Sequence, residues 1–224
     1  MHGLSRQQAR QLDTAATEQF GVPGIVLMEN AGRGVADALV HLGVKSPVAI
    51  CGGRGNNAGE GFVVARHLDL RGIRPILLLW SDPQALLADA AANFRIVQRS
   101  GIEVHQATGD EGAAAVIEAL RSAKWIVDAL LGTGLRGAPR PPLDQAIGQI
   151  NGSGIPVLSI DLPSGLDCDE GTAAGAAVRA THTCTFVAPK QGFSRAAAAE
   201  YLGHLHVLDI GAPRCLVEAM TQGA

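Results

Sequence analysis

The segment Val48-Ala-Ile-Cys-Gly-Gly-Arg-Gly-Asn-Asn-Ala-Gly-Glu-Gly61 runs from a short apolar run directly into a glycine-rich loop. An apolar run without alternation is typical of a strand that is buried on both faces of a parallel sheet. Glycines after such a strand favour positive φ and a close approach of the backbone to a ligand. A helix predicted to begin near Phe62 would direct its free N–H groups at an anion. The segment therefore predicts a strand, a binding loop and a helix, although a turn without a ligand is the alternative.

The same alternation continues along the chain and predicts the fold class. We predict strands at 48–51, 76–80, 102–104, 125–127, 157–160, 183–187 and 205–208. We predict helices at 5–19, 24–42, 62–70, 83–100, 111–121 and 142–151, with a short Ala-rich stretch and a tail near the end. Alternating strands and helices indicate an α/β fold with a mostly parallel central sheet and helices on both faces. No linker, repeat or charge run is present, so we expect one domain over residues 1–224.

The composition excludes several classes of partner. Aromatic residues make up only 4% of the chain, too few for the stacking platforms of single-stranded nucleic-acid binders. The net charge is -3 and no basic block is present, which argues against DNA binding. The cysteines form no metal-binding or disulfide motif, so we expect reduced thiols in or near the core. Neither a membrane span nor a signal peptide is visible, and we expect a cytoplasmic protein that acts on a small molecule.

Two further loops follow predicted strands and carry polar residues. One is Asp128-Ala-Leu-Leu-Gly-Thr-Gly-Leu-Arg-Gly137, and the other is Asp161-Leu-Pro-Ser-Gly-Leu-Asp167. Each alone is equally consistent with a turn. Ligands of open parallel sheets bind beyond the carboxyl ends of the strands, so three such loops together indicate a site. Pro163 keeps Leu162 extended, and a rim carboxylate such as Asp161 can act as general acid or base if burial raises its pKa.

Six motifs carry a resemblance to a known family. They are Met28-Glu-Asn-Ala-Gly32, Gly55-Asn-Asn-Ala-Gly-Glu-Gly61, Asp128-Ala-Leu-Leu-Gly-Thr-Gly134, Ser159-Ile-Asp-Leu-Pro-Ser-Gly-Leu-Asp167, Ala188-Pro-Lys-Gln-Gly192 and Leu208-Asp-Ile-Gly211. With these motifs, in this order, the chain resembles the NAD(P)H-hydrate epimerases, the YjeF N-terminal domain family, over nearly its whole length. The resemblance implies a Rossmann-like three-layer fold. It also implies a metabolite-repair isomerase that interconverts the R and S forms of hydrated NADH and NADPH.

The resemblance also implies the residues of the site. Asp161 is implied as the catalytic general acid/base, and Asn57, Asp128 and Ser164 as ligands of a potassium ion. The oxygen donors of these three residues suit a hard cation. The residues implied to bind the nucleotide are Asn56, Asn57, Ala58, Gly59, Glu60, Gly132, Thr133, Gly134, Leu135, Arg136, Gly137, Ala138 and Asp161.

The implied chemistry needs one proton carrier. The hydrated ring carries a hydroxyl on the carbon next to its nitrogen, whose lone pair can expel the hydroxyl once an acid protonates it. Water then returns to either face of the ring, and no redox cofactor is consumed. A single carboxylate suffices if Asp161 titrates near neutral pH.

The chain departs from the family at two positions of the first loop. The family usually has Gly and Asp where this chain has Ala58 and Glu60. Ala58 would cost about 1 kcal/mol if its position requires positive φ, whereas Glu60 keeps the charge one methylene further out. These replacements put nucleotide affinity in question.

Other residues leave alternatives open. Lys190 either meets a phosphate or buttresses a loop. His204 and His206 share one face of the last strand at a spacing that could suit a metal, but we expect ordinary strand histidines. His67 is expected on the surface, and the role of Asn30 is undecided.

Two other functions remain in competition with the epimerase. Gly53-x-Gly55-x-x-Ala58 followed by Asp82 fits an NAD-dependent oxidoreductase, although no Tyr-x-x-x-Lys pair accompanies it. A non-catalytic nucleotide- or protein-binding scaffold of the same fold is the second alternative. Among partners we expect no nucleic acid and no membrane, and a homodimer is left open. We also expect that a separate dehydratase enzyme acts on the same metabolite, since 224 residues leave no room for that second domain.

Overall fold

Seven parallel strands form one sheet in the computed structural model, which describes residues 3–222. The strand order is β3-β2-β1-β4-β5-β6-β7. The order reverses between β1 and β4, which creates a topological switch point at their carboxyl ends. The strands are β1 Val48–Gly52, β2 Pro75–Leu79, β3 Glu103–Gln106, β4 Trp125–Ala129, β5 Val157–Ile160, β6 His182–Phe186 and β7 His204–Leu208.

Helices cover both faces of the sheet. They are α1 Arg6–Glu18, α2 Gly24–His41, α3 Asn56–Asp69, α4 Ala88–Arg99, α5 Gly109–Ser122, α6 Leu143–Gly152, α7 Ala199–Leu202 and α8 Arg214–Gln222. On β4, Val127 belongs to an apolar cluster with Phe62 of α3, whereas Ile126 belongs to a cluster with Ile147 of α6. Because both faces are covered, the central strands are continuous apolar runs. The predicted Rossmann-like α/β fold with a parallel sheet is confirmed.

Most of the predicted elements are present, and three differ. The glycine loop is shorter than predicted, since α3 begins at Asn56 rather than near Phe62. The predicted helix 83–100 is a short 3₁₀ turn, Pro83–Ala85, followed by α4. The tail after β7 contains α8, which the sequence did not predict. Ser5 caps α1, because its hydroxyl accepts a hydrogen bond from the Gln8 amide at 3.2 Å.

In the first glycine-rich segment, Gly53 and Gly61 serve close packing rather than positive φ. None of the glycines between β1 and Phe62 has a positive φ. A Cβ atom on Gly53 would lie 2.1 Å from the carbonyl oxygen of Leu130, and one on Gly61 would lie 2.8 Å from the Cβ of Ala129. Ala58 lies within α3 and its φ is not positive, so the backbone cost considered for it does not arise.

The cysteines agree in large part with the expectation made from the sequence. All four cysteines are free thiols; Cys51, Cys168 and Cys184 are buried and Cys215 is exposed. The expectation of reduced thiols in or near the core therefore holds for three of the four. Within residues 3–222, no helix combines the length and the apolar character needed to cross a membrane.

Candidate active site

A cleft of about 920 Å³ lies at the switch point of the sheet. Its floor is formed by the loops after β1 and β4 and by the residues that follow β5 and β6. Residues of α1 and α2, among them Leu12, Asp13, Leu27 and Met28, line the cleft as well. The three loops that the sequence singled out therefore meet in one place, where parallel sheets bind their ligands.

Asp161 stands at the edge of the cleft in an unusual backbone conformation. Its φ is 65°, and the amide of Leu162 donates a hydrogen bond to the carbonyl of Ile160 at 2.8 Å. A bond from residue i+2 to residue i across a central residue of positive φ defines the strained form of γ-turn. Aspartate is one of the few residues other than glycine that adopt positive φ with some frequency. The chain after β5 therefore reverses sharply at the carboxylate that the family motif places there.

The neighbouring strand ends in the same kind of turn. Val187 has a φ of 67°, and the amide of Ala188 donates to the carbonyl of Phe186 at 2.7 Å. A β-branched residue rarely takes such a φ, and backbone strain of this kind persists only where the surrounding structure imposes it. Asp161 and Val187 are the two non-glycine residues with positive φ in the described part of the chain. Both line the cleft, so the strain is concentrated at the site.

Lys190 forms an ion pair with Asp161. Its Nζ lies 2.6 Å from Oδ1 of Asp161, and the two side chains are 3% and 15% exposed. The hydroxyl of Thr185 donates to the same oxygen at 3.3 Å. The segment around Lys190 is held by Leu4, whose amide donates to the carbonyl of Pro189 at 2.8 Å. Lys190 thus stabilises the negative charge of Asp161, a role that the sequence left undecided.

Two more carboxyl groups line the same cleft. Asp13 is open to the cleft, yet the protein that surrounds its carboxyl raises its pKa to about 6, helped by the negative charge of Asp161 and opposed by Lys190. Burial of its carboxyl, with smaller contributions from Asp161 and Asp13, raises the pKa of Glu60 well above its ordinary value. The cleft therefore holds carboxyl groups in different electrostatic environments, an arrangement that separates acid from base roles.

Asp13 was missed by the sequence analysis. The only signal that could have revealed it is the four-residue spacing of Ala9, Asp13 and Thr17. This spacing places the three residues on one face of α1, and that face lines the cleft.

Asn57, Asp128 and Ser164 come together beneath the loops, and we call these three residues the oxygen cluster. The carboxylate of Asp128 is fully buried and accepts hydrogen bonds from the Ser164 hydroxyl at 2.6 Å and from the Ser159 hydroxyl at 2.8 Å. The amide of Leu131 donates to the Ser164 hydroxyl at 2.8 Å, and the Asn57 side-chain amide donates to the Leu131 carbonyl at 3.1 Å. The loops after β1, β4 and β5 are thus joined at one point.

The oxygen cluster has the donors that a hard cation requires. Oδ1 of Asn57 is buried without a hydrogen-bond partner among the described residues. Asp128 has no ion pair with any side chain of residues 3–222, and burial raises its pKa although its hydrogen bonds oppose the shift. A buried carboxylate and an unsatisfied amide oxygen are both costly unless a partner is supplied. The residues present therefore fit an oxygen-coordinated cation.

Most of the residues implied to bind the nucleotide line the cleft. Those that do are Asn56, Asn57, Glu60, Gly132, Thr133, Gly134, Leu135, Arg136, Ala138 and Asp161. Ala58 and Gly59 do not line it, because they lie on the side of α3 that is buried in the protein. Gly137 does not line it either and occupies a turn with a φ of 74°. No side chain caps the N-terminus of α3, so its first N–H groups are free to meet an anion.

Further side-chain contacts connect the segments around the cleft. One guanidinium nitrogen of Arg6 donates to the carbonyl of Leu135 and another donates to Asp167, each at 2.7 Å, so α1 is tied to the loops after β4 and β5. The side chain of Asn30 donates to the carbonyl of Ile210 at 2.9 Å, which gives this residue a structural role. His67 is partly buried and lies 2.8 Å from Glu29, and it is therefore less exposed than expected.

The structure does not support the features that favoured other functions. Asp82 accepts a hydrogen bond from the Gln84 amide at 2.8 Å and caps a 3₁₀ turn, and it does not line the cleft where a ribose would bind. His204 and His206 stand on the edge strand beside His182, with ring centroids 5.2 and 5.3 Å from it. Among the described residues, no group of three or more His, Cys, Asp or Glu side chains could hold a metal ion.

Known proteins match the chain over most of its length. The model of a family described as YjeF-related protein N-terminus matches residues 24–192. The NAD(P)H-hydrate epimerase of Pirellula staleyi is 44% identical over 95% of this chain and 94% of that protein. The NAD(P)H-hydrate epimerase of Rhodopirellula baltica is 39% identical over 94% of this chain and 84% of that protein.

Two further matches concern a longer enzyme and a solved structure. The bifunctional NAD(P)H-hydrate repair enzyme Nnr of Moorella thermoacetica is 37% identical over 97% of this chain and 42% of that enzyme. The crystal structure of the yeast protein YNL200c superposes with a TM-score of 0.77 at 25% identity. The match covers 87% of this chain and 84% of the yeast chain.

Proposed function

The chain belongs to the family of YjeF-related protein N-termini, and from that premise we propose that it is a metabolite-repair epimerase that interconverts the R and S forms of hydrated NADH and NADPH. The observation that carries the proposal is the Asp161–Lys190 ion pair, which lines the cleft and joins two family motifs. The curated relatives of similar length act on the same class of metabolite by name.

The nucleotide occupies the cleft with its phosphates toward the loops after β1 and β4. The free N–H groups at the start of α3 and the side chain of Arg136 supply positive charge there. The hydrated nicotinamide ring then reaches the Asp161 carboxylate at the end of β5. This placement follows the general rule for ligands of open parallel sheets.

Asp161 carries protons in the reaction. Protonation of the ring hydroxyl allows the C–O bond to break, and the lone pair of the ring nitrogen forms a C=N⁺ bond as water leaves. Water then adds to the opposite face of that carbon, the electron pair returns to the nitrogen, and a carboxylate removes the proton. The ring gains and loses one water and one proton, so no oxidant or reductant is needed. Lys190 and Thr185 hold the carboxylate in place through an ion pair and a hydrogen bond.

The oxygen cluster holds a potassium ion in this proposal. Asn57, Asp128 and Ser164 would bind it, and the unpartnered Oδ1 of Asn57 is the observation that favours it. When bound, potassium supplies a positive charge that compensates the buried carboxylate of Asp128. These side chains lie under the cleft and connect the loops after β1, β4 and β5, so their role is to fix the shape of the nucleotide site.

The proposed epimerase needs a second enzyme to complete the repair of the hydrated nucleotide. An epimerase restores nothing by itself, because both epimers remain hydrated. A separate dehydratase in the same compartment, which we propose is the cytoplasm, consumes one epimer. Some relatives of the chain are bifunctional by name, which supports a close link between two repair steps.

The test of the proposal is direct. The protein is incubated with one resolved epimer of hydrated NADH, or of hydrated NADPH, and the appearance of the other epimer is followed by chromatography against a sample without protein. We expect the mixture to reach the same ratio from either epimer. A rate equal to that of the sample without protein would refute the epimerase, and the binding scaffold would then be the better explanation.

A further inference from the structure

We propose that Asp13 is a second catalytic carboxyl of the cleft, which exchanges a proton with the oxygen on the side of the ring turned toward α1, while Asp161 serves the side turned toward the sheet. The inference rests on the proposed function. It concerns a residue outside the part of the chain that the family model matches, since that match begins at residue 24.

The position of α1 makes this role possible. Ala9, Asp13 and Thr17 lie one turn apart on the helix and all line the cleft. The Leu4 amide and the Arg6 guanidinium tie the start of the helix to the segments around Lys190 and Leu135, so α1 is a fixed wall of the site. The carboxyl of Asp13 has no hydrogen bond or ion pair with another described side chain and stays available to a ligand.

The stereochemistry of the reaction favours proton carriers on both sides of the ring. Water leaves from one face of the carbon and returns to the other. A single carboxylate held by an ion pair, as Asp161 is, reaches one face unless the ring turns over. A second carboxyl on the wall formed by α1 would let both proton transfers occur without that turn. In one direction Asp13 protonates the departing hydroxyl and Asp161 takes a proton from the entering water, and in the other direction the roles are exchanged.

The electrostatic environment suits an acid on α1. Three charged groups of the cleft are close enough to interact electrostatically with Asp13: Asp161, Lys190 and Glu60. The other charged side chains that line the cleft, apart from Arg10 on the same helix, are Arg54, Asp89, Arg136 and Arg140. Arg10 lies one turn earlier on the same helix, and α8, which packs against α1, carries an exposed ion pair between Arg214 and Glu218.

The enclosure of the Asp13 carboxyl and the charge of Asp161 raise its pKa to about 6. A group that must be protonated to act loses activity as the pH rises through its pKa. Because the two epimers bind the same number of protons, kcat/KM has the same pH profile in both directions, and the predicted consequence is a decline above about pH 6 in each.

The experiment compares Asp13→Asn with the parent protein from pH 5 to pH 9. Starting from each resolved epimer in turn, kcat/KM is measured, and the rate without protein is subtracted at every pH because the departure of the hydroxyl is acid-catalysed. We expect Asp13→Asn to lose about 100-fold or more, as is typical of a general acid, and to lose the decline near pH 6 in both directions. Asp13→Glu is expected to recover part of the rate and the decline.

The controls separate this inference from the proposed function and from a loss of folding. Glu18→Gln removes an exposed carboxyl from the same helix and should keep the parental rate and pH profile. Thermal unfolding of each variant shows whether it is folded. If the parent epimerises and folded Asp13→Asn stays within threefold of it, or keeps the decline near pH 6, the role of Asp13 is refuted while the epimerase stands. If the parent itself is inactive, both are refuted.

Discussion

The ion pair between Lys190 and Asp161 leads to a prediction about stability. Lys190→Met keeps most of the side-chain volume and its apolar stem but removes the ammonium that lies 2.6 Å from Asp161. The substitution leaves a carboxylate without its cation in a site that is largely shielded from water. Because the remaining partner is charged, the loss should exceed that of an ordinary surface contact.

The structure sets the expected magnitude. Removing one partner of a buried pair costs about 3–5 kcal/mol of unfolding free energy. The Asp161 side chain is 15% exposed and keeps the Thr185 hydroxyl, which donates at 3.3 Å, so we expect the lower end, about 3 kcal/mol. In the double variant with Asp161→Asn the unpaired charge is gone, and we expect it to lose clearly less than the sum of the two single variants.

Urea unfolding followed by tryptophan fluorescence measures these differences, since Trp80 is buried beside the cleft. At a slope of about 3 kcal/mol per molar urea, a loss of 3 kcal/mol moves the midpoint by about 1 M. Lys124→Met is the matched control, because Lys124 is exposed and has no ion pair with another described residue. A loss below about 0.5 kcal/mol in Lys190→Met, or additive losses in the double variant, would refute the reasoning.

Three further predictions concern the cleft. Asp161→Asn should stay folded, since asparagine tolerates positive φ, but should lose about 100- to 10,000-fold in epimerisation; a folded variant with the parental rate would contradict its catalytic role. Crystals grown with rubidium should show anomalous density at the oxygen cluster, and its absence at saturating salt with ordered loops would refute the cation site. Ala58→Gly should lower the free energy of unfolding by about 1 kcal/mol, because Ala58 is helical. The double variant with Glu60→Asp should change kcat/KM by less than about tenfold. A gain of several orders of magnitude over the parent would mean that Ala58 and Glu60 mark a decayed site.

The sheet could be predicted because its signal is local. Val48–Gly52 and Val157–Ile160 are buried on both faces, and a strand with two covered faces is a continuous apolar run in any context. The loops that follow such strands meet at one edge by topology, so the sequence also indicated that residues after β1, β4 and β5 share a site.

The start of α3 could not be predicted because glycine disfavours a helix by propensity but also allows a helix to pack closely against its neighbours. By intrinsic propensity, Gly59 and Gly61 argue against a helix. In the structure they let α3 pack closely, since a Cβ on Gly59 would lie 2.6 Å from the sulfur of Met28. Only the position of α2 reveals that need, and no local pattern reports it.

The partners of Asp161 depend on contacts between distant segments. Val187 looks like the last residue of a strand, and only the structure shows that it turns the chain with a positive φ. Asp13 has no motif around it, and its effect on the site arises from the packing of α1 over the cleft. Such residues belong to the site because the tertiary fold brings them to the cleft, and a single sequence does not show these contacts.

The left-handed backbone at Asp161 has a genetic consequence. Glycine, asparagine and aspartate are the residues that accept such a conformation most readily. A single transition converts an aspartate codon into a codon for either of the other two. Both replacements preserve the turn after β5, but neither supplies a carboxylate. A lineage with this fold therefore stands one point mutation away from a descendant that folds and is inherited normally but no longer catalyses the reaction.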